Sequence, residues 1–347
     1  MTDLARFGVF LPSYIWHGDG PERARGIKEF SRAVEDLGFD SLFVTDHLIA
    51  AKRFYSVSFL EPLTALAVAA GVTSRVRLGT SILIMPLRHP VMLAKELATL
   101  QFLSENRVIL GAGVGWNEFE YAALGVRKSE RGKRTDEMLD IMIPLLEGET
   151  VTYHGDFYSV DDLSIEPRSA QRPEIWIGGG SQLADEKSPD LPSFVESVKA
   201  RVLRTEGWIP RPTCPPDDIA RDWVELQAYY REHGRDPDEC VVAHENFLHL
   251  VLTNDPARAR EEQHRAFLKV MSAERGPKYL ESVYLFGTPD EVIASLQARV
   301  DAGVEYFVLH TMTPDPAQLR HWADVIVPAV RFPATAGPVR RMAPAAR

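Results

Sequence analysis

Short apolar runs alternate with amphipathic segments along almost the whole chain. Residues 6–12 (RFGVFLP), 41–47 (SLFVTDH), 76–86 (VRLGTSILIMP) and 107–116 (RVILGAGVGW) read as strands. Between and after them, 21–39, 61–73, 90–104 and 130–148 carry apolar residues at helical spacing. The first of these helices stops on Gly38, and the second has Pro in its first turn. From 150 to 167 the period changes to two around His154-Gly155-Asp156, which predicts a β-hairpin. Strands then follow at 174–180, 206–210, 240–252 and 305–311, with helices at 217–234, 287–303 (opening Thr-Pro-Asp-Glu) and 316–330.

Eight strand–helix units predict an α/β chain folded as a TIM (β/α)8 barrel, in one domain over 1–333. The alternative is an open doubly wound sheet with a small second domain. The hairpin at about 150–167 is an insertion. The polar stretch at about 181–204, with Pro189 and Pro192, reads as an irregular insert or lid. Residues 334–347, rich in Pro, Ala and Arg, are expected to form a flexible tail.

Composition narrows the partners more than the fold. The 347 residues are 45% hydrophobic and 25% charged, an ordinary globular balance. A net charge of −10 argues against nucleic acid and anionic membrane surfaces. The start lacks a signal-peptide pattern, and no apolar run approaches the roughly 20 residues of a membrane span. Cys214 and Cys240 are read as ordinary thiols in a reducing, cytoplasmic compartment. No early strand has an HxH pair and HENFLH is not HExxH, so no metal is expected.

The stretch ILGAGVGWNEFEYAALGV (109–126) resembles a nucleotide loop, but Trp116 breaks the GxGxxG fingerprint and the stretch belongs to the fourth unit. In a barrel, the site lies where the strands end. Strand two then offers Asp46 and His47, a pair suited to proton exchange or to a purely structural role. Strand three offers Thr80 and Ser81. Gly113 and Gly115 on strand four, and Gly178, Gly179 and Gly180 on strand five, would leave room for a flat ligand. The Gly178–Ser181 run would free backbone N–H groups for a phosphate. Asn117 either faces the site or caps the next helix. No strand end carries a lysine, which disfavours Schiff-base chemistry.

Six segments in order, GFDSLFVTDH, RLGTSILIMPLRHPVMLAKELATL, RVILGAGVGWNEFEYAALGV, ERGKRTDEMLDIM, RPEIWIGGGS and YLFGTPDEVIASLQARVDAGVEYFVLH, resemble the bacterial luciferase-like flavin and deazaflavin oxidoreductases. The likeness runs from about 6 to 330 and is nearest the coenzyme F420-dependent branch, in which Gly-Val-Gly-Trp-x-Glu follows strand four. It implies a homodimeric barrel with the cofactor ring at its mouth. A non-prolyl cis peptide within Thr80-Ser81-Ile82 would back the ring. Gly113, Gly115, Trp116 and Asn117 would lie beside it, Gly178, Gly179, Gly180 and Ser181 would hold phosphate, and Asp46 and His47 would flank the reacting atoms.

The reaction implied is hydride transfer between F420 and a small organic substrate. The alternatives are an FMNH2-dependent monooxygenase and a flavin-binding barrel without turnover. A basic rim for the long anionic tail of F420 could come from Arg88, Arg168, Arg172, Lys187 and Arg211. Tyr14, Trp16, Phe54, Tyr55, Trp116, Trp176 and Phe247 are candidates for an aromatic pocket or for plain core. The sugar-phosphate dehydrogenases of the family have Trp and Glu where this chain has Ala51 and Trp116, which argues against a sugar phosphate.

Overall fold

A computed structural model describes residues 3–16, 18–51, 53–181, 194–274 and 276–333. Its core is a ring of parallel strands: β1 (Phe7–Phe10), β2 (Ser41–Val44), β3 (Arg77–Thr80), β4 (Val108–Gly113), β5 (Glu174–Gly178), β6 (Gly207–Ile209), β7 (Val241–Leu248) and β8 (Tyr306–Thr311). β8 pairs back onto β1 (Phe7 opposite Phe307), so the sheet closes as the TIM barrel expected. The sequence rhythm produces this because every strand is buried on both faces, one against the barrel interior and one against helices.

The barrel interior is filled in layers. Its floor is ionic. Arg77 reaches Asp40 Oδ2 at 2.7 Å and Glu174 Oε2 at 3.1 Å, and the Tyr306 hydroxyl donates to Asp40 at 2.6 Å. Above the floor, Phe10, Phe43, Ile109, Trp176, Ile209, Val241, Ala243 and Val308 form an apolar plug. The top of that plug is the base of the mouth.

The hairpin forms as expected, with Val151–His154 antiparallel to Ser159–Leu163. Glu137, on the helix Arg131–Leu146, captures its turn by accepting the N–H groups of Asp156, Phe157 and Tyr158 at 2.8–3.1 Å. Two boundaries differ from expectation. The segment expected to be irregular to 204 contains a helix, Glu196–Leu203, which buries Val198 and Val202. The expected lid itself falls on 182–193, outside the described residues, as does the tail 334–347. β7 ends at Leu248 and not at 252, and two further helices follow, Pro256–Val270 and Pro277–Val283. Asp255 starts the first by accepting the N–H of Ala257 at 2.9 Å. Among the described residues, no helix is long and apolar enough to cross a membrane.

Candidate active site

The peptide bond between Ser81 and Ile82 is cis, immediately beyond the end of β3. The chain bulges there and rejoins the barrel, with Leu83 and Ile84 pairing alongside Ala112 and Gly113 of β4. Thr80 Oγ1 donates to Gly111 O at 2.8 Å, which fixes the start of the bulge. Of the glycines expected to make room for a ligand, Gly113, Gly115 and Gly178 make room for this bulge, while Gly179 faces Val198 and Gly180 faces Asp222. A Cβ on Gly178 would stand 1.8 Å from Ile82 Cδ1, and one on Gly113 2.9 Å from Ile82 Cγ2. Ile82 packs on the apolar plug. Gly113, Gly178 and the bulge together build a shelf across the mouth.

Asp46 clamps the far side of the bulge. Its Oδ2 accepts Ile84 N at 2.8 Å and Arg88 Nη1 at 2.6 Å, while Oδ1 accepts Arg88 Nη2 at 3.2 Å. A carboxylate held by a bidentate guanidinium and a backbone N–H is a structural brace. His47 is placed differently. Its Nδ1 lies 3.1 Å from Oε1 of Glu120, a fully buried carboxylate that also accepts Leu48 N at 2.9 Å. An acceptor-only partner puts the ring proton on Nδ1 and leaves Nε2 as the basic atom. Tyr55, Phe59 and Trp116 surround the imidazole at centroid distances of 5.2, 5.5 and 5.7 Å.

Glu120 was not among the residues expected from sequence. It sits on a short helix, Glu118–Ala123, that begins where β4 has already ended. Asn117 caps this helix by accepting Phe119 N at 3.2 Å, as the second of its two readings has it. Nothing in EFEY marks Glu120 over Glu118 in the sequence; the difference between them, one buried and one exposed, exists only in the fold.

The loop after β5 is less open than expected. Gly179 N donates to Ile209 O at 3.0 Å, and Gly180 O accepts Val195 N at 3.4 Å. Ser181 gives both its N–H and its hydroxyl to the buried carboxylate of Asp222, at 3.0 and 2.5 Å. The N–H groups of Gly179 and Ser181 are therefore engaged. The basic rim is only partly spent on ion pairs: Arg211, just beyond β6, keeps a buried Nη1 with no hydrogen-bond partner among the described residues. Arg88 is paired with Asp46 and Glu61, and Arg172 with Glu147 and Glu206. Arg168 pairs with Glu166, and both it and Arg172 precede β5, at the barrel end opposite the mouth. Lys187 lies outside the described residues.

Of the aromatic candidates, Trp176 is core within the barrel plug, and Tyr14 is buried with Trp16 edge-on at 5.1 Å, on a short strand that pairs it with Phe59 beside His47. Phe54 packs on Trp116 at 4.3 Å, and Tyr55 faces His47. Phe247 and Phe10 sandwich His310, which burial holds well below its ordinary pKa and so uncharged. A cleft of about 950 Å³ opens beside Asp46 and His47, between the helices Pro62–Ala70 and Pro90–Leu103.

The family model for luciferase-like monooxygenases matches residues 5–188, more than half of the chain. The chain belongs to the luciferase-like monooxygenase family. It is an enzyme of the oxidoreductase class. An F420-dependent glucose-6-phosphate dehydrogenase of Microbacterium testaceum is 28% identical, with 95% of this chain and 99% of that protein covered. A solved F420-dependent secondary alcohol dehydrogenase, in complex with an F420–acetone adduct, superposes with TM-score 0.75 at 20% identity, over 94% of this chain and 99% of its own. A monooxygenase from Streptomyces bottropensis superposes with TM-score 0.72 at 22% identity, over 93% and 99%. Such identities make these two structures evidence of a shared fold.

Within this luciferase-like site, the two departures from the sugar-phosphate pattern occupy the same wall. Ala51 is buried beside the loop that carries Phe54 and Tyr55, and Trp116 stands 44% exposed with its edge toward His47. The wall is aromatic around His47, and the same loop carries the exposed cation Arg53.

Proposed function

We propose that the protein is a coenzyme F420-dependent oxidoreductase that moves a hydride between the deazaflavin and a small organic substrate. The observation that carries this reading is the buried Glu120–His47 pair, set beside the Ser81–Ile82 shelf at the barrel mouth. The F420-dependent relatives that cover nearly the whole chain support the choice of cofactor. The shelf fits a planar ring. It is flat because Gly113 and Gly178 lack the Cβ atoms that would lift Ile82. Thr80, Ser81 and Ile82 would back the ring, with Trp116 at its edge. When bound, the ring supplies a two-electron centre that takes up or releases hydride.

The chain's own residues do the rest. His47 takes the hydroxyl proton of a substrate at Nε2 as the carbon loses its hydride, or returns it in the reverse direction. Glu120 holds the imidazole in the tautomer that makes this possible. Tyr55, Phe59 and Trp116 keep water away. Ser181 contributes to an anionic tail only on parting from Asp222, so the tail contacts lie chiefly elsewhere. We further propose that the chain is a homodimer joined through the exposed apolar side chains Leu48, Met92, Leu103 and Leu124, which cluster around the cleft.

Anaerobic mixing with oxidised F420 and a panel of secondary alcohols and sugar phosphates tests the activity. Bleaching of the deazaflavin absorbance with an uncharged alcohol, and not with sugar phosphates, is the expected result. Oxygen uptake with reduced FMN, and no bleaching with any alcohol, would favour the monooxygenase reading.

A further inference from the structure

Glu245 sits midway along β7, in the same alternation as Val241 and Ala243, so its side chain faces into the barrel. It is buried, and the Ser81 hydroxyl donates to its Oε2. Ser81 is also the residue that contributes the carbonyl half of the cis peptide. Glu245 is therefore one hydrogen bond from the shelf on which a ring would lie.

The flanking strands offer this carboxyl nothing charged. β6 (Gly207–Ile209) carries no charged residue, Val308 pairs with Glu245 from β8, and His310, two residues farther along β8, is held uncharged by burial. From β3 comes only Ser81. Burial pushes the carboxyl up to about 7, with the Ser81 hydrogen bond pulling it back part of the way. An ordinary glutamate is ionised throughout the neutral range. This one is divided between two charge states there, directly under the shelf and with no cation on the flanking strands to cancel the charge.

We propose that Glu245 is a charge-setting residue of the ring site: neutral, it admits an electron-rich ring onto the Ser81–Ile82 shelf, and ionised, it repels that ring. The inference rests on the reading of the mouth as an F420 or flavin site. The relevant ring is the reduced one, because a ring that has taken up a hydride carries one negative charge more than before. Glu245 exchanges its proton with solvent only, and no covalent bond changes. If only the neutral form accepts the reduced ring, the apparent affinity follows the neutral fraction. With a midpoint of about 7, that fraction falls from about 0.9 at pH 6 to about 0.1 at pH 8, a loss of about tenfold.

The test is an anaerobic titration of the protein with reduced F420, and separately with reduced FMN, followed by tryptophan quenching at pH 6 and pH 8. The wild type is expected to bind about tenfold more weakly at pH 8 than at pH 6, and Glu245→Gln to change by less than about twofold. Ser81→Ala removes a hydrogen bond that favours the ionised form, so its weakening should begin at higher pH than in the wild type. It also serves if the Gln variant does not fold. In the infrared spectrum of the protein without cofactor, a protonated-carboxyl band should fade between pH 6 and pH 8 and be missing from Glu245→Gln. Binding that ignores pH in the wild type, or the same pH dependence in Glu245→Gln, overturns the inference alone. Failure of both cofactors to bind, oxidised or reduced, overturns the reading beneath it as well.

Discussion

His47 carries the chemistry only because Glu120 fixes it, and the two can be separated by substitution. His47→Gln can still offer an N–H to Glu120 but cannot take up a proton. Its kcat is expected to fall about 10²- to 10⁴-fold in steady-state assays, with the melting temperature nearly unmoved. An unchanged rate would remove His47 from the mechanism. Glu120 acts through His47, so Glu120→Gln should lower kcat by about 10² or more while leaving KM in place, and Glu120→Asp should recover part of the loss. A rise in KM with kcat intact would make Glu120 a merely structural acid. In the sequence, Asp46 and His47 stand out as a pair because they are adjacent. In space each has found a distant partner, Arg88 for one and Glu120 for the other. Such partners, 42 and 73 positions away, leave no local pattern to read.

Among the elements, the bulge after β3 decides the shape of the mouth. Gly178→Ala would drive a methyl into Ile82 Cδ1, at a cost of about 1–3 kcal/mol in denaturant unfolding, and would lift the shelf and weaken ring binding. Adding Ile82→Val deletes that same Cδ1, so the double variant should recover much of the stability. Equal losses in the single and double variants would show that the clash is not with Ile82. The eight strands and the hairpin are legible in the sequence because each carries its own hydrophobic period and turn residues. The glycines are legible only as space. What fills the space, a ligand or the protein's own bulge, depends on a chain segment some thirty to a hundred residues away. The helices Pro256–Val270 and Pro277–Val283 escape because they crowd in after β7 where a single crossover helix is expected. Their Asp255 cap was the readable signal.

Across the whole molecule, the barrel divides its labour between floor and mouth. The floor is the buried set of Asp40, Arg77, Glu174 and Tyr306. Asp40→Ala strands a buried guanidinium with only one of its two acids and should cost about 3–5 kcal/mol of stability without altering cofactor affinity. Loss of affinity at unchanged stability would contradict that division. Light scattering should give twice the 38.9 kDa chain mass for the wild type, and the chain mass for Leu103→Asp, a side chain 67% exposed in the single chain. The central claim is that the mouth is built for F420, and equilibrium titration with oxidised F420 and with FMN under the same conditions tests it most directly. Micromolar binding of F420, with FMN bound at least about tenfold more weakly, is the expected result. Tighter binding of FMN than of F420 would contradict it.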